Sequence, residues 1–250
     1  MNQARHTFGQ AAADYAAARP TYPAALFEWL AETAPRRGHV WDCGTGTGQA
    51  ALDLAARFKT IHATDFSAGQ IAAARPAPNV TYAVEPAEKT SLTGGWADLI
   101  TVANALHWFD FDRFWPEVKR VGASDSVFAA WGYNWFFVSP AFDTDVTTRF
   151  RDLIAPFWAP NNRINWNGYR DADIRFPFTR MSHPAFTIEL AWSFRQILAF
   201  MQTWSAYRLS RNDAGASKAM DALLMEFEKN YRADEVFQVR MPLVMVAGRV

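Results

Sequence analysis

Only one cysteine, Cys43, stands in the 250 residues. That excludes an intrachain disulfide and any zinc site built on several thiolates. Net charge is also missing, since 25 Lys and Arg balance 25 Asp and Glu. Wholesale neutralisation of nucleic-acid phosphates needs a clustered excess of cations, so no nucleic-acid partner is expected. No run of about 18 apolar residues is present, and so no bilayer-spanning segment is expected. Met1 to His6 carry neither an apolar signal core nor a twin arginine, which leaves a cytoplasmic chain without a membrane partner as the expectation. Internal repeats and low-complexity segments are absent, and no metal is expected.

What is present is apolar bulk. Half the residues are hydrophobic and 15% are aromatic, with 11 Trp among them. Such a chain can bury a large core, as one domain or one domain with an insertion. It is organised around Val40-Trp41-Asp42-Cys43-Gly44-Thr45-Gly46-Thr47-Gly48-Gln49-Ala50-Ala51. The start reads as a strand and the end as a helix. Three glycines at alternate positions between them predict a tight turn of bare backbone at a helix N-terminus, open to a ligand.

Alternating patterns surround that stretch. Strands are predicted at 39–43, 60–64, 80–84, 96–102 and 126–131, with helices near 47–57, 68–74 and 110–120. Two helices, within 2–18 and over 24–33, precede them. Short connections between alternating strands and helices argue an α/β, doubly wound, mostly parallel sheet with strand one at its centre. The ligand crevice then lies at the carboxyl ends of strands one and four. From Gly132 the alternation stops. Aromatics interleaved with Arg and Asn over 133–184 predict an inserted cap, followed by a strand at 185–193, helices at 194–205 and 217–231, and a last strand from Val236 to Val246.

The glycine turn admits three readings. One is a purely structural turn. A second is a dinucleotide site, whose fingerprint is G-x-G-x-x-G; the spacing Gly44-x-Gly46-x-Gly48 departs from it, and Asp42 sets a carboxylate where a pyrophosphate would approach. The third is S-adenosylmethionine, whose ammonium and sulfonium suit a nearby carboxylate. Asp65, closing strand two, is placed to accept hydrogen bonds from ribose hydroxyls.

Asp42-Cys43-Gly44-Thr45-Gly46-Thr47-Gly48 resembles motif I, D/E-x-G-x-G-x-G, of the class I S-adenosylmethionine-dependent methyltransferases. Tyr15-x-x-x-Arg19-Pro20-x-Tyr22-Pro23, Asp65-Phe66-Ser67-x-x-Gln70-Ile71, His107-Trp108-Phe109-Asp110 and Trp166-x-Gly168-Tyr169 resemble the trans-aconitate methyltransferase-like (type 11) small-molecule subgroup. The resemblance runs over nearly the whole chain. It implies a Rossmann-like seven-stranded sheet in one domain, 1–250, with lid helices in 1–35 and a cap inserted after strand five. It implies S-adenosylmethionine as cofactor, held by Tyr15, Arg19, Asp42, Gly44, Thr45, Gly46, Gly48, Asp65, Phe66, Ala87, Glu88 and Asn104. One departure is Val121-Gly122-Ala123-Ser124-Asp125-Ser126, where the family has L-K-P-G-G. Cys43 reads as a small buried hydrophobe.

Methyl transfer from a sulfonium is an in-line displacement with a neutral leaving group. A carboxylate acceptor is already ionised at neutral pH, so the protein need only position it and exclude water. The resemblance of the N-terminal signature, with the Arg- and Trp-rich cap, implies a small-molecule acceptor offering a carboxylate oxygen. Trp108 would hold an acceptor oxygen through its indole N–H, and His107 would act either as a base or as a packed side chain. Gln10, Trp131, Tyr133 and Arg170 are the candidate substrate contacts. The other cap arginines (Arg149, Arg151, Arg163, Arg175, Arg180) read as clamps or as surface ion pairs. The alternatives are C- or O-methylation of a quinone or aromatic metabolite, and a non-catalytic cofactor-binding protein. A monomer or homodimer is expected.

Overall fold

The computed structural model describes residues 20–250. Among the described residues eight strands form one sheet: β1 (His39–Cys43), β2 (Thr60–Asp65), β3 (Val80–Val84), β4 (Ala97–Ala103), β5 (Gly122–Tyr133), β6 (Thr179–Arg180), β7 (Thr187–Ser193) and β8 (Val236–Arg249). Their order is β3-β2-β1-β4-β5-β8-β6, with β7 also on β8. β1 to β5 are parallel, and β8 runs antiparallel to β5. β6 pairs with the end of β8 and β7 with its beginning. The links Met181 N–H to the Ala247 carbonyl and Leu243 N–H to the Phe186 carbonyl join them along one edge. The sheet is thus seven positions wide, the last one filled by a broken strand.

The central strands carry the pattern of a sheet covered on both faces. Val40 through Cys43 and Ala97 through Val102 are buried without alternation. One face holds Leu26, Phe27 and Leu30 of helix α1 (Ala24–Thr33), together with Ala50, Ala51 and Leu54 of α2 (Gln49–Ala55). α3 (Ala68–Ala72) starts where the Ser67 hydroxyl accepts from the Gln70 N–H. The other face is covered by α4 (Phe111–Val121), which buries Phe114, Trp115 and Val118 against Trp41 and Phe128. Asp110 caps α4 by accepting from the Asp112 N–H, and Lys119 and Arg120 stand at its negative end.

The unusual segment at the start of β5 is a bulge. Ala97 pairs with Gly122 but Leu99 pairs with Val127, so the extra residues loop out around Asp125, whose φ is 60°. This starts β5 at Gly122, earlier than the apolar pattern alone predicts. The expected helix 194–205 is broken: Phe194–Gln202 and Ser205–Ser210 flank Thr203 and Trp204. The helix expected from Ser217 begins earlier, at Ala214, because Asp213 caps it.

Between Tyr133 and β6 stand short helical segments, at 140–154, Asn162–Trp166 and Asp171–Ile174. Side chains tie them to the sheet. Asn165 Nδ2 donates to the Tyr133 carbonyl at 3.3 Å, Asn161 Nδ2 to the His107 carbonyl at 3.1 Å, and Trp115 Nε1 to the Ile174 carbonyl at 2.9 Å. Among the described residues no helix is long and apolar enough to cross a membrane.

Candidate active site

The glycine turn leaves β1 and enters α2 with Gly44, Gly46 and Gly48 at φ of 69°, 59° and 83°. All three lie in the left-handed region, which disfavours a Cβ. A Cβ on Gly44 would also sit 2.7 Å from Ala105 Cβ, and one on Gly48 would run into the Tyr82 ring. Gly46 has open space beside it, with nothing nearer than 3.9 Å.

Two carboxylates fix this backbone. Asp65 accepts the Gly46 N–H at 2.9 Å on one oxygen and the Ser67 N–H at 2.9 Å on the other. A carboxylate has about four acceptor positions, so each oxygen keeps a lone pair for a further donor. Asp42 is fully buried and accepts the Thr45 hydroxyl at 2.6 Å and the Thr101 hydroxyl at 2.7 Å. Burial pushes its carboxyl up to about 6 against those two hydrogen bonds. Asp42 therefore braces the turn from beneath, and is not the cavity-wall carboxylate expected for a cationic ligand. Burial likewise raises the Asp65 carboxyl and the Cys43 thiol; the latter is buried and inert, as a small apolar residue would be.

A cavity of about 330 Å³ opens above the turn, at the carboxyl ends of β1, β2 and β4. It gathers Gly44, Thr45, Gly46, Asp65, Phe66, Ala87, Glu88, Asn104, Trp108 and Tyr133 of the sequence candidates. Phe66 is half exposed at the rim, opposite the loop Pro86-Ala87-Glu88. Glu88 also accepts the Asp110 N–H at 3.0 Å, which ties that loop to the start of α4. Tyr22, Thr47, Gln70 and Phe109, quoted within the motifs but not named as site residues, line the same cavity, as does Gln49 next to the glycine turn.

A second cavity, about 80 Å³, adjoins the first and shares Asn104, Trp108 and Tyr133 with it. His107, Asn134, Trp158, Asn162, Asn165, Trp166, Trp204 and Ser205 complete it. These asparagines were read in the sequence only as part of the aromatic cap, with none named as a site residue. Asn104 stands at the junction with φ of 54°. Its side chain accepts the Tyr133 N–H at 3.2 Å and donates to the Tyr22 hydroxyl at 3.4 Å. A non-glycine residue held left-handed costs about 1–3 kcal/mol and persists where neighbours over-determine it.

Several candidates stand elsewhere. Gly48 does not face the cavity but heads α2 as its N-cap. Trp131 is fully buried and packs edge-on to Tyr22 and Phe27, so it is core rather than a substrate contact. Arg170 is exposed, engaged by Asp173 at 2.9 Å, and lines neither cavity. Arg149, Arg175 and Arg180 are also paired with carboxylates. His107 is buried, and its Nδ1 has no hydrogen-bond partner among the described residues. Burial pulls its imidazole down to about 3. Gln10, Tyr15 and Arg19 lie outside the described residues. Among those described, no group of three or more His, Cys, Asp or Glu side chains is placed to hold a metal.

The lining fits a nucleoside: Asp65 keeps lone pairs for ribose hydroxyls, and Phe66 and Ala87 offer apolar surface for a base. Residues 41–130 match the family model of a methyltransferase domain. A candidate type II methyltransferase of known structure from Anaeromyxobacter dehalogenans is 40% identical, with a TM-score of 0.81 over 92% of this chain and 97% of its own. A candidate methyltransferase of Dictyostelium discoideum is 27% identical over 97% of this chain and 94% of its own length. A malonyl-[acyl-carrier protein] O-methyltransferase of Geobacter sulfurreducens is 32% identical over 50% of this chain and 51% of its own.

Proposed function

The chain belongs to the class I S-adenosylmethionine-dependent methyltransferases, and from that premise we propose that it methylates a carboxylate oxygen of a small-molecule acceptor. The observation that carries this reading is the absence of an equipped base among the described residues of the second cavity. Its one imidazole, His107, is buried, and no third group orients it through Nδ1. A general base is usually held by such a group and poised near the working pH, whereas burial draws His107 down to about 3. An acceptor that must lose a proton meets no imidazole poised near the working pH among the described residues of that cavity. One that arrives ionised needs none.

S-adenosylmethionine, when bound, supplies an electrophilic methyl on a sulfonium whose departure requires no acid. The remaining work is done by the chain. Asp65 and the amides of the turn orient the nucleoside, while Asn104, Trp108 and Tyr133 form the wall common to both cavities. The acceptor oxygen is brought up along that wall, and the apolar rings keep water away. The Geobacter relative, named for O-methylation of a malonyl group, lends support over the half of the chain it shares.

The test is methyl transfer from labelled cofactor to a panel of carboxylic acids, phenols and quinones. Methyl esters are the expected products. Turnover confined to phenols or quinones, and lost in His107→Ala, would replace this reading with the alternative in which His107 is the base. Cofactor binding with no turnover on any acceptor would mark a non-catalytic binder.

A further inference from the structure

His107 stands on the single turn Leu106–Trp108 that follows β4, and it lines the second cavity. Two contacts hold it there. Asn161 donates to its carbonyl at 3.1 Å, and its ring leans on Trp108 with centroids 4.9 Å apart. The residue is buried, and its Nδ1 is enclosed without a hydrogen-bond partner among the described residues. A neutral imidazole carries one N–H, on one nitrogen or the other. On Nδ1 that N–H would be orphaned in the interior, whereas an unfilled lone pair there costs less. The proton therefore belongs on Nε2. That nitrogen is not enclosed as Nδ1 is, and the space His107 lines is the second cavity. The ring also stays uncharged. Burial alone pulls its imidazole down to about 3, with no charged neighbour contributing.

We infer that His107 is a neutral hydrogen-bond donor to the acceptor, its Nε2–H holding one carboxylate oxygen while the other is methylated. This rests on the carboxylate reading above and gives that site a residue to grip the acceptor. The chemistry favours a donor of this kind. In the transfer an O–C bond forms as the S–C bond breaks, the electron pair stays on sulfur, and no proton moves. Carboxylate and sulfonium both lose charge on the way to ester and thioether. A full cation paired with the attacking carboxylate would hold the ground state more firmly than the transition state, and so slow the step. A neutral N–H orients the carboxylate and gives up less as the charge drains away. The fixed neutrality that disqualifies His107 as a base thus suits it as a donor.

Nitrogen NMR spectra of the histidine rings, recorded on the protein loaded with S-adenosylhomocysteine and assigned against His107→Gln, read the tautomer directly. His107 is expected to show a protonated Nε2 and a bare Nδ1, unchanged between about pH 5 and about pH 9. Acetate, as the probe carboxylate, should shift the Nε2–H resonance; chloride at equal ionic strength should not. A proton on Nδ1, an imidazolium near neutral pH, or a ring indifferent to acetate overturns the inference. Kinetics give a second readout, on the acid of the panel above that forms an ester. His107→Gln, whose amide reaches about as far as Nε2, should keep kcat/KM within about three-fold of the parent, whereas His107→Leu should lose about ten-fold or more. Parent and His107→Gln should share one flat pH profile, and both variants should bind S-adenosylhomocysteine as the parent does. A parent profile that follows an imidazole titration absent from His107→Gln also overturns the inference. The two readings fail separately. Methyl transfer confined to phenols or quinones would remove the carboxylate reading and this inference with it. Esters formed by an enzyme indifferent to His107→Leu would remove the inference alone.

Discussion

A methyl group at position 44 would stand 2.7 Å from Ala105 Cβ and 3.1 Å from the Phe109 ring, on a residue whose φ is 69°. Gly44→Ala therefore has to move the β4 loop as well as strain its own backbone. A loss of about 1–3 kcal/mol in stability is expected by denaturant titration, together with weaker cofactor binding by calorimetry. Asp65→Asn tests the second anchor. An amide cannot accept from both the Gly46 and Ser67 N–H groups while serving ribose hydroxyls, so cofactor affinity should fall by about ten-fold or more. Asp42 titrates differently from a surface acid. Its carboxyl is raised by burial from 3.8 to about 6 in the folded chain. The fold thus holds a proton there that the unfolded chain has already released. The stabilisation this gives is complete below the lower value and lost as pH rises through the upper one, a swing of about 3 kcal/mol. Asp42→Asn should flatten the stability profile between about pH 4 and about pH 7, and a profile as steep as the parent's would show that another group is responsible. The turn and Asp65 were legible because alternate glycines and a strand-ending acid are local patterns. The settings of His107, Trp131 and Arg170 were not, because each depends on contacts from distant segments or on a partner that periodicity does not reveal.

Elements built on short-range patterning were the readable ones. α1 and β3 run over the residues their hydrophobic spacing predicts, and α4 lies within one residue of its predicted bounds. The bulge at the start of β5 was visible only as a departure from a familiar turn; its form follows from Asp125 at positive φ and from Ser126 lying close to Gly122. The helical segments after β5 were harder, since aromatic-rich stretches carry no clean period and are placed by side-chain ties. Trp115 on α4 is one such tie, donating to the Ile174 carbonyl across 59 positions. Trp115→Phe keeps the ring packing against Phe128 and Phe176 but leaves that buried carbonyl unmet. The expected cost is about 1–3 kcal/mol, with faster amide exchange concentrated at 162–180. Uniform acceleration across the sheet would instead indicate a general packing defect.

At the scale of the whole molecule, two cores lie on opposite faces of one sheet, and the segment after β5 contributes to both. Phe142, Phe150 and Ile154 join the core with α1, while Tyr169 and Ile174 join the core with α4. The region that builds the second cavity is accordingly anchored to both faces of the sheet. Asn104, Trp108 and Tyr133 line both cavities, and Asn104 has its left-handed backbone hydrogen-bonded to Trp131 and its amide shared between Tyr22 and the Tyr133 backbone. A wall common to both sides is not readily reshaped on one side alone. Occupancy of the nucleoside side should then change affinity on the acceptor side, and linkage requires the reverse effect to be of equal factor. Acceptor titrations with and without S-adenosylhomocysteine would measure that factor. Asn104→Ala should bring it close to unity, making the two sites energetically independent.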